Sequence, residues 1–224
     1  MRRPVLLVGV LLVTLAALAA GERVDAQGDC VVLEDFAKAK VGEFPASWKP
    51  RKDEGKDIYT VREESGVRFL HAASKGQGIQ AAKEAPWDVN AYPVLVWSWR
   101  PLEFPKGADE RDSNANDSVL SVYMFVPYSK IRGPRALKYA WSEKVPVGTR
   151  VTSNMGLTQE RIVRTGIPSK PEWVEERVNV LEDWKRYFNE AEAPKPAGIG
   201  VLTDSDDTKS TAQGDYVNFR ACRG

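Results

Sequence analysis

Only two cysteines occur in the 224 residues, Cys30 and Cys222, and they stand at opposite ends of the chain that follows an apolar leader. A chain with two distant thiols can close one disulfide. Closing it ties the first strand-like run, Cys30-Val31-Val32-Leu33, to the last, Tyr216 to Ala221. Disulfides form and persist in oxidising compartments, so the expectation is an exported protein whose two ends lie side by side. In the chain-entropy model a crosslink over so long a loop contributes about 5 kcal/mol, comparable with the net stability of a small domain.

The leader supports export. Arg2 and Arg3 supply a positive start, Val5 to Ala20 an apolar stretch, and Val24-Asp25-Ala26 a small-residue cleavage site. Cleavage is expected after Ala26, with Ala19 and Ala20 as alternatives; the apolar run is short for a bilayer span, which needs about 20 residues. No span is therefore expected once residues 1–26 are removed, and no lipid-attachment pattern surrounds Cys30. The remainder, 27–224, reads as one domain: 42% of the sequence is hydrophobic, 28% is charged, and nothing in it has linker composition. The formal net charge of +1 falls to about zero when the leader's three basic and two acidic residues are gone. A neutral chain has no global basic field, so nucleic acid and anionic membranes are excluded as expected partners.

Short apolar or alternating runs separated by Gly, Pro, Asn and Asp dominate the rest. They include Ile58 to Val61, Val67 to Leu70, Val94 to Arg100, Ser118 to Val126, Ala136 to Trp141, Arg161 to Arg164, Trp173 to Val180 and Ile199 to Leu202. Many short strands with frequent turn signals predict an all-β fold, an antiparallel β-sandwich of jelly-roll type. One short helix is predicted from Leu181 to Glu190, where Leu181, Trp184 and Phe188 share a face before Pro194 and Pro196. The polar connections Lys106 to Asp117 and Ser142 to Thr158 are the candidate functional loops.

Several motifs carry a resemblance. Leu33-Glu34-Asp35-Phe36 with Phe44-Pro45-Ala46-Ser47-Trp48, then Trp97-Ser98-Trp99, Asn116-Asp117-Ser118, Tyr139-Ala140-Trp141, Glu176 to Val180, Asp183 and Thr203 to Thr208 resemble the bacterial family called domain of unknown function 3047. That resemblance covers nearly the whole mature chain and implies a secreted or envelope protein, periplasmic or extracellular, without an assigned activity. The opening Glu-Asp-Phe with its later Pro-x-x-Trp, and the closing Tyr216-Val217-Asn218-Phe219, are also similar to jelly-roll modules that bind carbohydrate. In such folds the first and last strands often lie side by side, in agreement with the expected disulfide.

Catalytic chemistry is constrained by scarcity. His71 is the single histidine and lies within a predicted strand, which argues against a Ser-His-Asp triad and against zinc. No phosphate-cradling loop or dinucleotide fingerprint occurs. If the chain is an enzyme, Glu34, Asp35, Glu176 and Asp183 are the candidates for a glycosidase pair, and Tyr139, with Lys138 and Arg177, for a lyase base. No cofactor is expected, save that Asp204, Asp206 and Thr208 alternate in a way that can aim oxygens at Ca²⁺, as do Asp112, Asn114 and Asn116. Neither run completes an EF-hand: Lys209 and Asp117 stand where its glycine belongs.

Aromatic residues point to binding. Trp97 and Trp99 alternate onto one strand face, where they serve either as core or, for Trp99, as a platform for the apolar face of a sugar. Trp48, Tyr139, Trp141 and Trp173 share that ambiguity. Arg100, Arg111, Arg135 and Arg177 can hold acidic sugars or carboxylates bidentately. The expected function is non-catalytic binding of a polar ligand, carbohydrate first, through Trp99, Arg111, Asp117, Tyr139, Trp141 and Arg177 at one sandwich edge. A carbohydrate-active enzyme, hydrolase or lyase, and a structural or interaction protein of the cell envelope are the alternatives.

Overall fold

A computed structural model of the chain describes residues 29–224; the leader and its cleavage sites lie outside the described residues. The alternating runs become strands β1 (Cys30–Glu34), β2 (Lys49–Pro50), β3 (Tyr59–Glu64), β4 (Val67–Lys75), β5 (Ala81–Glu84), β6 (Val94–Glu103), β7 (Leu120–Ser129), β8 (Gly133–Ser142), β9 (Arg150–Ser153), β10 (Thr158–Thr165), β11 (Val174–Asn179), β12 (Gly198–Leu202) and β13 (Thr211–Cys222). A six-stranded sheet has the order β11-β6-β13-β4-β3, with β1 also on β13, and a seven-stranded sheet has the order β2-β5-β12-β7-β8-β10-β9. The chain is thus an all-β, two-sheet sandwich of jelly-roll type. One pair departs from the antiparallel expectation, because β10 runs parallel to β8 after a crossover that includes β9. The expected runs omitted β2, β5 and β9, which are short and polar or small-sided and flank the seven-stranded sheet.

Period-two alternation explains the core. From β6, Leu95, Trp97 and Trp99 point inward; from β7, Val122 and Met124; from β8, Leu137, Tyr139 and Trp141, all buried in one cluster. The aromatics meet across the sandwich, with Trp97 and Tyr139 centroids 5.8 Å apart and Trp99 and Trp141 centroids 5.7 Å apart. On β13, Tyr216 and Phe219 are both buried although three positions separate them. A bulge between Val217 and Arg220, with Asn218 at φ 57, inserts one residue and resets the alternation. The bulge lies where β13 exchanges edge partners, from β4, whose last pair is Tyr216 with Leu70, to β1, whose pairing starts at Phe219.

The first and last strands are therefore neighbours, and Cys30 faces Cys222 in register and is bonded to it. The helix α1 (Val180–Phe188) begins one residue before the predicted Leu181 and ends two before Glu190: Asn179 caps it by accepting the Glu182 amide, and Asn189 ends it in the left-handed conformation, ahead of the prolines. Among the described residues no helix is long and apolar enough to cross a membrane.

The disulfide spans 192 residues of sequence separation. Replacing both cysteines by serine is expected to lower the unfolding free energy by about 2–5 kcal/mol, read as a lower urea midpoint with unchanged far-ultraviolet circular dichroism.

Candidate functional site

Inward Val122 and Met124 oblige Tyr123 and Phe125 to face outward from the seven-stranded sheet. Their rings stack there at 5.3 Å with planes 6° apart. Small residues of the neighbouring strands surround Phe125 on that face: Gly200 of β12 pairs with Tyr123, Gly198 with Phe125, Ala82 of β5 with Gly200, and Ala136 of β8 with Phe125, while Lys138 stands opposite Tyr123. A Cβ on Gly200 would come within 2.5 Å of the Phe125 ring, so glycine lets the ring lie across β12. Tyr123 is buried, while Phe125 is half-buried and keeps part of its ring open.

The result is a trough of about 590 Å³ floored by Tyr123, Phe125, Ala82 and Ala136, with Lys49, Arg51, Gln80, Arg132, Asn154 and Thr158 around it. A second hollow of about 410 Å³ shares Lys49, Ala82, Phe125 and Pro134 with the first. A third, of about 460 Å³, adjoins the second at Ser47 and Lys83 and reaches Glu34. The three form one groove along the β5 and β12 side of the sheet.

Charges are buried beside this floor. The parallel β8–β10 register sets Lys138 opposite Glu160, and the two pair at 3.1 Å. Burial opposes the Lys138 charge, but Glu160, Tyr123 and Asp204 hold its ammonium above the usual lysine range. Burial first, then repulsion from Asp206 and Asp117, pushes the Asp204 carboxyl up to about 8. At the far end of the groove, Glu34 accepts the Asp35 and Phe36 amides on one oxygen and Trp48 Nε1 and Lys83 on the other. Burial alone would raise Glu34; the Lys83 ammonium and these donors hold it below the ordinary carboxylate range.

The residues expected to bind ligand lie elsewhere. Trp99 and Tyr139 have no exposed surface and Trp141 only 3%, so none offers a ring face to a sugar; their inward phase on β6 and β8 puts them in the core. Trp48 is buried as well, and Trp173 is partly exposed on the opposite sheet, against Phe69 and Arg100. Arg111 is exposed but forked onto its neighbour Asp109. Arg177 sits on β11, 3.9 Å from Glu175. Asp117 is fully buried and accepts the Asp207 and Thr208 amides and the Thr208 hydroxyl, closing one loop on another.

The proposed acids do not form a hydrolytic pair. Glu34 pairs with Lys83, Glu176 with Arg164 and Asp183 with Arg161, three carboxylates each held by its own cation. Asp35 caps its own turn by accepting the Ala37 amide. Burial, with Asp183 nearby, pushes the Tyr139 phenol well above its ordinary range, the wrong direction for a base. His71 is buried with Nδ1 2.8 Å from Asp215, whose other oxygen takes Arg100. The calcium expectation changes too: Asp117, Asp206 and Asp207 bring oxygens within 4.8 Å of one another, and of these only Asp206 belonged to the alternating run. Thr208 is committed to Asp117, Asp204 packs beside Gly78, and Asn116 bridges the loops by donating to Asp207 at 2.8 Å.

The sequence reading passed over Tyr123, Phe125, Arg51 and Arg132. Ser118 to Val126 carries bulky residues on both faces, which suits a central strand without naming its core face; the signal available is the small residues of Ala81-Ala82 and Gly198-Ile199-Gly200, which leave a floor open.

Fold and groove define a two-sheet sandwich with an open, aromatic-floored trough across one outer face. The chain belongs to the family described as "Protein of unknown function (DUF3047)", whose model matches residues 46–220. Among curated proteins no relative matches. Similar solved structures include a non-crystalline cellulose-specific carbohydrate-binding module of family 28, with 11% identity and TM-score 0.47 over 88% of this chain and 96% of that one. Another is a Caldicellulosiruptor saccharolyticus family 27 module in complex with mannohexaose, with 11% identity and TM-score 0.43 over 87% and 97%. A third is a family 30 module of a Clostridium thermocellum cellulosomal cellulase, with 8% identity and TM-score 0.42 over 84% and 90%.

Two measurements check these placements. Trp99→Ala is expected to destabilise by about 3–5 kcal/mol, as loss of a buried indole does, and to lower the melting temperature whether or not ligand is present. Glu34→Gln is expected to be less stable than wild type at pH 7. A carboxyl whose folded-state pKa is lowered stabilises above its unfolded value and loses that contribution as pH falls through the folded one. The gap between the two melting temperatures therefore narrows toward pH 3.

Proposed function

We propose that this chain is an exported, non-catalytic carbohydrate-binding domain that holds a glycan along the groove on the outer face of its seven-stranded sheet. The observation that carries the reading is Phe125, half-exposed over Gly200 and stacked on Tyr123, in a trough surrounded by hydrogen-bonding side chains. An aromatic floor with a few convergent polar groups is the usual composition of a small-molecule site. Sugars match it with apolar C–H faces and hydroxyls at the ring edge. The three adjoining hollows suit a ligand that extends over several units. Non-catalytic action is supported by Glu34, Glu176 and Asp183, each engaged with a cation, and by the Tyr139 phenol, raised above its ordinary range. Export is supported by the disulfide.

Affinity electrophoresis of the mature, oxidised protein through gels containing a polysaccharide panel tests this. Retardation by at least one glycan, with no new reducing ends or unsaturated products, is expected. Phe125→Ala should weaken that binding about tenfold or more while the protein stays folded, as removal of an aromatic anchor does. Binding that survives Phe125→Ala unchanged places the ligand elsewhere.

A further inference from the structure

We infer that the glycan taken by this groove is acidic, its sugar rings bearing carboxylates; this rests on the carbohydrate reading above and narrows it. The charged side chains lining the main trough are Lys49, Arg51 and Arg132, all positive, with no carboxylate among the lining residues. Many guanidinium groups elsewhere in the fold are neutralised: Arg68, Arg100, Arg135, Arg161, Arg164 and Arg220 each meet a carboxylate, while Arg150 is held by Gln159 and the Tyr187 carbonyl. In the trough they are not. Arg51 makes no side-chain hydrogen bond or ion pair among the described residues. Arg132 reaches only the Met155 carbonyl, at 3.4 Å, and lies 6.0 Å from the Tyr128 ring centre. Lys49 alone has an anion, Glu84 at 3.0 Å, and that pair is solvent-exposed and so contributes little.

Beside the trough floor the buried carboxylate Glu160 has its charge matched by Lys138 at 3.1 Å. Arg51 and Arg132 therefore stand uncompensated in the main trough, while the adjoining hollows mix Lys38 and Lys83 with Glu34, Asp35 and Glu84, in a chain with 32 basic and 31 acidic residues. A guanidinium presents parallel N–H donors that fit a carboxylate bidentately. A uronate-bearing chain lying over Phe125 meets the trough's cations with its carboxylates and the ring with its C–H face. Neutral sugars leave both guanidinium groups without a counter-charge.

Isothermal titration at pH 7 of the mature, oxidised protein with hexagalacturonate, its methyl ester and cellohexaose tests the inference. The expected result is that the acid binds at least about tenfold more tightly than the ester, and that added salt weakens it. The double variant Arg51→Gln/Arg132→Gln, both positions exposed, should keep its melting temperature and bind the acid about 100-fold more weakly, about tenfold per charged contact removed. Equal binding of ester or cellohexaose, with the double variant unaffected, overturns the acidic assignment and leaves the carbohydrate reading standing. Acid binding that the double variant retains but Phe125→Ala loses likewise overturns it. If neither these ligands nor alginate, hyaluronate and a neutral panel bind, the carbohydrate reading itself fails and this inference with it.

Discussion

The packing of Trp97 and Trp99 on β6 against Tyr139 and Trp141 on β8 is the contact on which the two-sheet arrangement rests. Each ring is fully or nearly fully removed from water, and each fills the space between sheets that smaller residues would leave as a cavity. Once these rings face inward, strand geometry leaves no freedom for their neighbours. Lys138 and Ala140 must face outward on β8, and the same rule on β7 places Tyr123 and Phe125 on the outer surface.

The outer face of the seven-stranded sheet then depends on what is missing from it. Gly200 lets Phe125 lie across β12, and Ala82 and Ala136 keep the floor low on either side. Nearby, Lys138 and Glu160 remove each other's charge beneath the surface, which leaves Lys49, Arg51 and Arg132 as the charged side chains lining the trough. A buried pair of this kind adds little to net stability, since desolvation offsets attraction. Its effect here is on the electrostatics of the face, and it exists because β10 runs parallel to β8 in a register that sets residue 138 opposite residue 160.

Acidic residues that resembled catalytic or calcium-binding groups serve the architecture. Glu34 organises the turn after β1 and fastens Trp48 and Lys83 to it. Glu176 accepts from the Trp99 indole and pairs with Arg164. Asp117 gathers the Thr208 loop. In each case burial requires the carboxylate to find donors, and the donors come from segments distant in sequence. Composition and spacing announce that a carboxylate is present; they do not say which cation will neutralise it.

Much of the fold was legible. The strand runs from Cys30 to Cys222, the helix after Asn179 and the meeting of the chain ends follow from local pattern, because alternation and capping are properties of short windows and two cysteines allow one pairing. The disulfide, the class of fold and the inward Trp97 were determined by sequence alone in that sense. Tertiary structure decided the phase of β7 and β8, the parallel β8–β10 pair and the bulge at Asn218, and with them the site. A strand bulky on both faces does not declare which face is the core until a second sheet covers one of them. Trp99, Tyr139 and Trp141 were therefore read as ligand residues and proved to be core, while Tyr123 and Phe125, equally aromatic and equally spaced, were left to face the groove.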